Sequence, residues 1–336
     1  MTNPTMSRKD TIMATATQSQ STQRPEYLET LIPPAEVADQ YIDRYVDGIL
    51  ALDTLAYAQK HGKHVLLAGP TGAGKTMLVR AYAAKTNQPF VNVTGDGSLQ
   101  PEDLFGQLYG DVETGGLRWV NGPVLDVVVN GGILNLDEVN FLRGKVTAST
   151  HGLFDGRRVL TLLKHPFKYF DPKGQKYYAA KADAPAKTKL ISVDGPAYIP
   201  AHPDLLVVGS YNPDYADTSP INEAFANRFA VKMNWGYDEG VESTLVFGQT
   251  LKAVASQLRG MKRGGEIRTD VSTNLLMEFE EMALDEDLTF AFARTMFINH
   301  FAPAEQSAVA QTFDLHRTEL MAEYGWEDIS EEAPSH

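Results

Sequence analysis

Residues Gly69, Pro70, Thr71, Gly72, Ala73, Gly74, Lys75 and Thr76 run consecutively and follow the apolar stretch from His64 to Ala68. No other segment restricts the fold as much. The glycines let backbone N–H groups turn inward around phosphate oxygens, and such a loop belongs between the end of a strand and the start of a helix. The strand is expected over His64–Gly69. The helix is expected from Lys75 to about Thr86, with its positive N-terminus aimed at the same phosphates. Lys75 is placed to reach the β- and γ-phosphates, and the Thr76 hydroxyl to ligand Mg²⁺.

Beyond this loop, apolar strands alternate with helical stretches, the pattern of an α/β parallel sheet with crossover helices. Further strands are expected at Phe90–Val93, Ile133–Leu136, Leu205–Ser210 and Ala230–Met233. A helix over Pro123–Asn130 opens on proline and stops at Gly131, the favoured order of the two residues. Two stretches interrupt the alternation. Residues 106–122 carry two short apolar arms around Glu113 to Gly116 and read as a β-hairpin. Residues 164–200 read as a longer irregular insert. After Gly236 the pattern is helical, over Glu239–Leu258, Ser272–Met282, Phe290–Asn299 and Pro303–Asp314. We therefore expect an α/β nucleotide-binding domain over 25–235 and a helical lid over 236–326. Residues 1–24 are rich in Thr, Ser, Gln and Ala and are expected to be a disordered tail; 327–336 are expected to be a flexible one.

A second acidic site sharpens the chemistry. The run Ile133-Leu134-Asn135-Leu136 ends in Asp137 and Glu138. At a strand end, Asp137 can hold Mg²⁺ and Glu138 can polarise an attacking water. A nucleotide kinase does not need that adjacent glutamate, and the Asn-Lys-x-Asp tetrapeptide of guanine-reading enzymes is absent. ATP hydrolysis is favoured. The strand Leu205–Ser210 leads into Asn212, a polar amide expected near the γ-phosphate or else part of a simple Asn-Pro turn. Downstream, Arg228 sits where a helix ends and a strand begins.

These motifs, GPTGAGKT, ILNLDEVN, GSYNP and NEAFANRF in that order, resemble the AAA+ ATPases, specifically the MoxR and dynein-related branch that includes CbbQ-, NorQ- and CobS-like proteins. The resemblance spans roughly Tyr41 to Asp314. It implies a P-loop NTPase core with strand order 5-1-4-3-2 and a C-terminal helical lid. It implies ATP contacts from Gly69 to Met77, with Lys75 and Thr76 as Walker A and Asp137 and Glu138 as Walker B. It makes Asn212 sensor 1, Arg228 an arginine finger acting on the neighbouring subunit, and Arg294 sensor 2 of the lid. It further implies a hexameric ring and a protein substrate, in this branch often a von Willebrand factor A-domain protein. Residues 106–122 match an insert that projects toward the ring's pore. Phe105 beside it is either a substrate-facing aromatic or a buried anchor of the hairpin.

The chain departs from its relatives after Thr161. Lysines 164, 168, 173, 176, 181, 187 and 189 face only Asp171 and Asp183 between residues 164 and 189, with Phe167, Tyr169, Phe170, Tyr177 and Tyr178 interleaved. That composition suits single-stranded nucleic acid, by phosphate neutralisation and base stacking. It equally suits an acidic protein, and a solvated loop has the same composition. A nucleic-acid-stimulated motor is thus the alternative to a protein-remodelling one. The whole-chain charge of −13 argues against general nucleic-acid binding. The absence of cysteine excludes disulfides, thiolate metal sites and cysteine nucleophiles. With no apolar run of membrane-spanning length and no signal-peptide core, a cytoplasmic protein is expected.

Overall fold

The computed structural model describes residues 24–111, 115–214, 221–285 and 288–326. The tails expected over 1–24 and 327–336 lie outside them apart from Arg24, as do Glu113 and Thr114, where the hairpin turn is expected. Five parallel strands form the central sheet: β1 (Val65–Ala68), β2 (Phe90–Thr94), β3 (Gly132–Asp137), β4 (Leu205–Tyr211) and β5 (Val231–Asn234). Their spatial order is β5-β1-β4-β3-β2, the 5-1-4-3-2 order expected. In the central strand Val208 lies beside Val65 on one edge and Asn135 on the other.

These strands read as unbroken apolar runs because both faces of the sheet are covered. Val65, Leu67, Ile133, Leu206 and Val208 face helices α1 (Ala51–Lys60) and α2 (Lys75–Lys85) and pack on Leu55, Leu78 and Tyr82. Residues of the opposite parity, Leu66, Leu134, Leu136, Leu205 and Val207, face α3 (Pro123–Asn130) and α4 (Gly144–Phe154), packing on Leu125, Val128 and Phe154. Each fully buried Val or Leu stabilises the fold by roughly 1.5–3 kcal/mol. A short helix α5 (Glu223–Ala226) places Phe225 edge-on against Phe154 and Phe229, and Phe229 packs tilted against Phe154, closing that layer.

The C-terminal region is helical, with its own core. It contains α6 (Glu239–Leu245), α7 (Gln249–Arg263), α8 (Thr273–Ala283), α9 (Phe290–Asn299), α10 (Gln306–Leu315) and α11 (Arg317–Tyr324). Phe279 stands at its centre, with the rings of Phe297, Phe313 and Trp326 edge-on around it. The single helix expected over 239–258 is two helices, broken at residues 246–248. The break is made by a distant residue: the buried Glu280 carboxylate accepts the Phe247 and Gly248 N–H groups at 2.8 and 2.6 Å. Pro303 precedes α10 rather than opening it.

Residues 164–200 are not irregular. Val159–Leu162 pairs antiparallel with Ala197–Pro200, and the chain between them folds into a three-stranded antiparallel sheet of Tyr169–Asp171, Lys176–Tyr178 and Ile191–Ser192. Strands of two or three residues are too short to show an alternation in sequence, and aromatic pairs across the strands stabilise them instead. The hairpin at 106–122 forms as expected, pairing Gly106–Gly110 with Leu117–Asn121. Phe105 is 4% exposed within the sheet core, so it anchors the hairpin. No helix among the described residues is long and apolar enough to cross a membrane.

Candidate nucleotide site

The loop from Gly69 to Thr76 connects the C-terminal end of β1 to α2, where the crossover geometry leaves strand ends open. Gly72 has φ +67°, a conformation that costs a side chain, and a Cβ there would stand 2.6 Å from the Ser272 Cβ. The loop is pinned from several directions. Gly69 N–H donates to Tyr211 O at 3.0 Å, and Trp235 Nε1 donates to Ala73 O at 2.7 Å. Lys75 Nζ donates to Gly69 O and Pro70 O at 2.9 and 2.7 Å. Burial pulls the Lys75 ammonium below its ordinary pKa, while Asp137, Glu138 and Asp270 act to hold it up. It is therefore a half-desolvated cation faced by three carboxylates, ready to exchange carbonyl partners for phosphate oxygens.

Asp137 ends β3 beside this loop. Its Oδ2 accepts from Thr76 Oγ1 at 3.0 Å, and its Oδ1 accepts from the Ser210 hydroxyl and from Glu138 N–H. Thr76 and Asp137 thus present hard oxygen donors side by side, a set that fits Mg²⁺ and no soft metal. Glu138 is left-handed, with φ +52° and ψ +49°. For a residue with a Cβ this costs about 1–2 kcal/mol, and it turns the chain sharply after the strand. Asn212, 7% exposed, follows β4. Its Nδ2 lies 3.4 Å from Thr71 Oγ1, and its Oδ1 accepts Asp214 N–H. Lys75, Thr76, Asp137, Glu138 and Asn212 therefore converge on one mouth.

Arg228 and Arg294 make their contacts with other residues. Arg228 donates to Ala224 O at 2.5 Å, and its charge, after burial, helps hold His151 of α4 below its ordinary pKa. The partners of Arg228 and those of the phosphate loop share no residue among those described. Arg294 forms a two-pronged ion pair with Asp314 across α9 and α10, with N···O distances of 2.5 and 2.7 Å. The carboxylate matches the guanidinium fork, which keeps this arginine on the lid surface.

The lid reaches the loop through residues that the sequence did not flag. Tyr237 donates to Thr71 O at 2.9 Å, and the Arg259 guanidinium stacks on its ring at 4.1 Å while pairing with Glu242 at 2.7 and 2.8 Å. Lys262 is ion-paired with Asp270, the carboxylate that faces Lys75. Beside the loop opens a mostly apolar slot of about 340 Å³, lined by Tyr41, Ile42, Gly74, Met77, Val241 and Met277. Arg44 and Trp235 also line it, the Arg44 guanidinium lying 3.4 Å over the Trp235 ring and donating to Gly236 O at 2.7 Å. The slot suits a planar heterocycle attached to phosphates in the loop. Gly74 and Met77 tie this wall to the motif.

The sequence profile of the AAA domain (dynein-related subfamily) matches residues 64–229. Protein NorQ of Paracoccus denitrificans is 30% identical over 223 residues, which cover 63% of this chain and 70% of NorQ. Protein CbbQ of Hydrogenophilus thermoluteolus is 31% identical over 224 residues, covering 63% of this chain and 71% of CbbQ. An uncharacterised protein of Staphylococcus haemolyticus is 26% identical over 272 residues, covering 76% of this chain and 90% of its own length.

Proposed function

This chain belongs to the MoxR-like, dynein-related branch of the AAA+ ATPases, and on that premise we propose that it hydrolyses ATP as a ring oligomer and spends the energy on remodelling a protein partner. One observation carries the hydrolytic part. Thr76, from the start of α2, and Asp137, from the end of β3, meet at 3.0 Å, and the Asp137 and Glu138 carboxylates both act on the Lys75 ammonium.

In this reading the adenine occupies the slot beside Met77 and the phosphates lie in the loop. Lys75 gives up its carbonyl partners for β- and γ-phosphate oxygens. Thr76 and Asp137 would hold Mg²⁺, which when bound neutralises charge on the phosphates. Glu138 orients a water in line with the leaving group and takes its proton as the γ-phosphoryl group departs from ADP. Asn212 fixes that water from the Thr71 side. Arg228 supplies positive charge to the site of the next subunit, a contribution on the order of 10³–10⁵ in rate.

The test is Glu138→Gln, which keeps shape and removes the base. The variant should bind a fluorescent ATP analogue as the parent does and lose at least about 100-fold in turnover. Turnover within a few-fold of the parent refutes the assignment.

A further inference from the structure

The two insertions that interrupt the sheet domain meet. Trp119 of the 106–122 hairpin contacts Phe167 of the lysine-rich insert, with ring centroids 6.1 Å apart. A cleft opens on each side of this contact. One, of about 390 Å³, is walled by Phe105, Trp119 and Leu162, with Lys145 and Lys164 at its edge. The other, of about 430 Å³, is walled by Leu125, Phe167 and Ile199, with Lys176 at its edge. Exposed apolar side chains continue the surface: Leu117 is 72% and Leu163 77% exposed.

The lysines are not neutralised within the insert. Asp171 is tied to the Lys173 N–H and Asp183 to the Ala180 N–H, both as turn caps. All seven lysines are exposed, and among the described residues the ion pair of Lys164 with Glu102, at 3.7 Å, is the single one they make. An ordered sheet therefore holds exposed lysines that, apart from Lys164 paired with Glu102 at the first cleft, make no ion pair among the described residues, with Lys176 lining the second cleft.

The five aromatics interleaved with the lysines weigh against nucleic acid. Phe167 and Tyr177 pack on the body of the protein, and Phe170 packs on Tyr177 at 4.6 Å. Lys181 caps the Tyr169 ring, 5.5 Å from its centroid. The Asp171 carboxylate acts on Tyr178, raising its pKa behind the larger effect of burial. None of the five offers a free, acid-free ring for base stacking. We propose that the two insertions form one docking surface for a protein segment in which apolar side chains alternate with carboxylates. The apolar groups enter the clefts, and the carboxylates meet Lys168, Lys173, Lys176 and Lys181. This names the chemistry of the protein partner and rests on the remodelling role proposed above.

The probe is a fluorescein-labelled 18-residue peptide of repeating Glu-Glu-Leu, compared by anisotropy with fluorescein-labelled oligo(dT) of 18 nucleotides. The peptide should bind the full chain and weaken as salt rises. The quadruple variant K168E/K173E/K176E/K181E should bind it at least about tenfold more weakly. Because none of these lysines belongs to the nucleotide mouth, its unstimulated ATP turnover should equal the parent's. Circular dichroism and the thermal midpoint check that it is folded, and Leu117→Ser, which leaves the charges in place, should also weaken the peptide. Absence of peptide binding, or equal binding to parent and quadruple variant, overturns the proposal. Tighter binding of oligo(dT) than of peptide overturns it in favour of nucleic acid. Loss of ATP turnover in the parent would instead count against the hydrolytic reading, so the two failures are distinguishable.

Discussion

His64, 2% exposed at the start of β1, couples stability to pH. Its Nδ1 accepts the Val207 N–H at 3.1 Å, and its Nε2 stands 3.3 Å from Leu153 O, so the neutral ring with its proton on Nε2 satisfies both contacts. Burial, reinforced by the Arg158 charge, pushes its pKa down to about 4. The unfolded ring titrates near 6.5, so between about 6.5 and 4 the unfolded chain takes a proton that the folded chain refuses. The contribution is complete above about pH 6.5, and stability falls as pH drops through that window, by a total on the order of 3 kcal/mol. Urea unfolding at pH 7.5 and pH 5 should reveal the loss, and His64→Gln, which does not titrate, should flatten its share of the slope. An unchanged slope in that variant would assign the effect to other groups.

At the scale of elements, the break between α6 and α7 shows how one side chain can end one helix and start another. Glu280 caps the α7 N-terminus from α8, and Gly248 is required because a Cβ there would strike the Tyr324 hydroxyl. Glu280→Ala leaves two N–H groups without their charged acceptor and should destabilise the helical region by about 3 kcal/mol, whereas Glu280→Gln should keep more than half of that. Thermal unfolding followed by circular dichroism measures both. The same break explains what the sequence could and could not convey. Central strands were legible because burial on both faces makes unbroken apolar runs, as in Leu205 to Val208. Helix α3 was legible to the residue because Pro123 and Gly131 bracket it. Contacts set by distant residues were not: Glu280 lies 32 positions from Gly248. Tyr41, Met77 and Met277 line one slot from three separate segments. The ion pair of Arg294 with Asp314, a residue with no local signal, is another contact of this kind.

At the scale of the whole molecule, Arg228 and the phosphate loop of one chain share no partner among the described residues. Lys75, Thr76, Asp137, Glu138 and Asn212 share a mouth, while Arg228 is held on α5 beside His151, with partners distinct from those of the loop. If Arg228 serves the neighbouring subunit, a head-to-tail contact must carry it, and such contacts form a ring where the rotation between subunits closes. Two inactive variants should then complement each other. Arg228→Ala keeps its loop and lacks the arginine; Lys75→Ala keeps the arginine and lacks phosphate binding. In an equimolar mixture with random assembly, about one interface in four joins an intact loop to an intact Arg228. Turnover should rise from near zero for each variant to about a quarter of the parent's per interface. It should also fall on dilution as the assembly dissociates, which light scattering can follow alongside. The double variant in one chain, Lys75→Ala with Arg228→Ala, should rescue neither partner beyond what dilution of its own sites predicts. Recovery absent at every mixing ratio would mean that Arg228 acts within its own chain or supports α5 only. In that case the buried Nε of Arg228, which has no hydrogen-bond partner among the described residues, would need another acceptor.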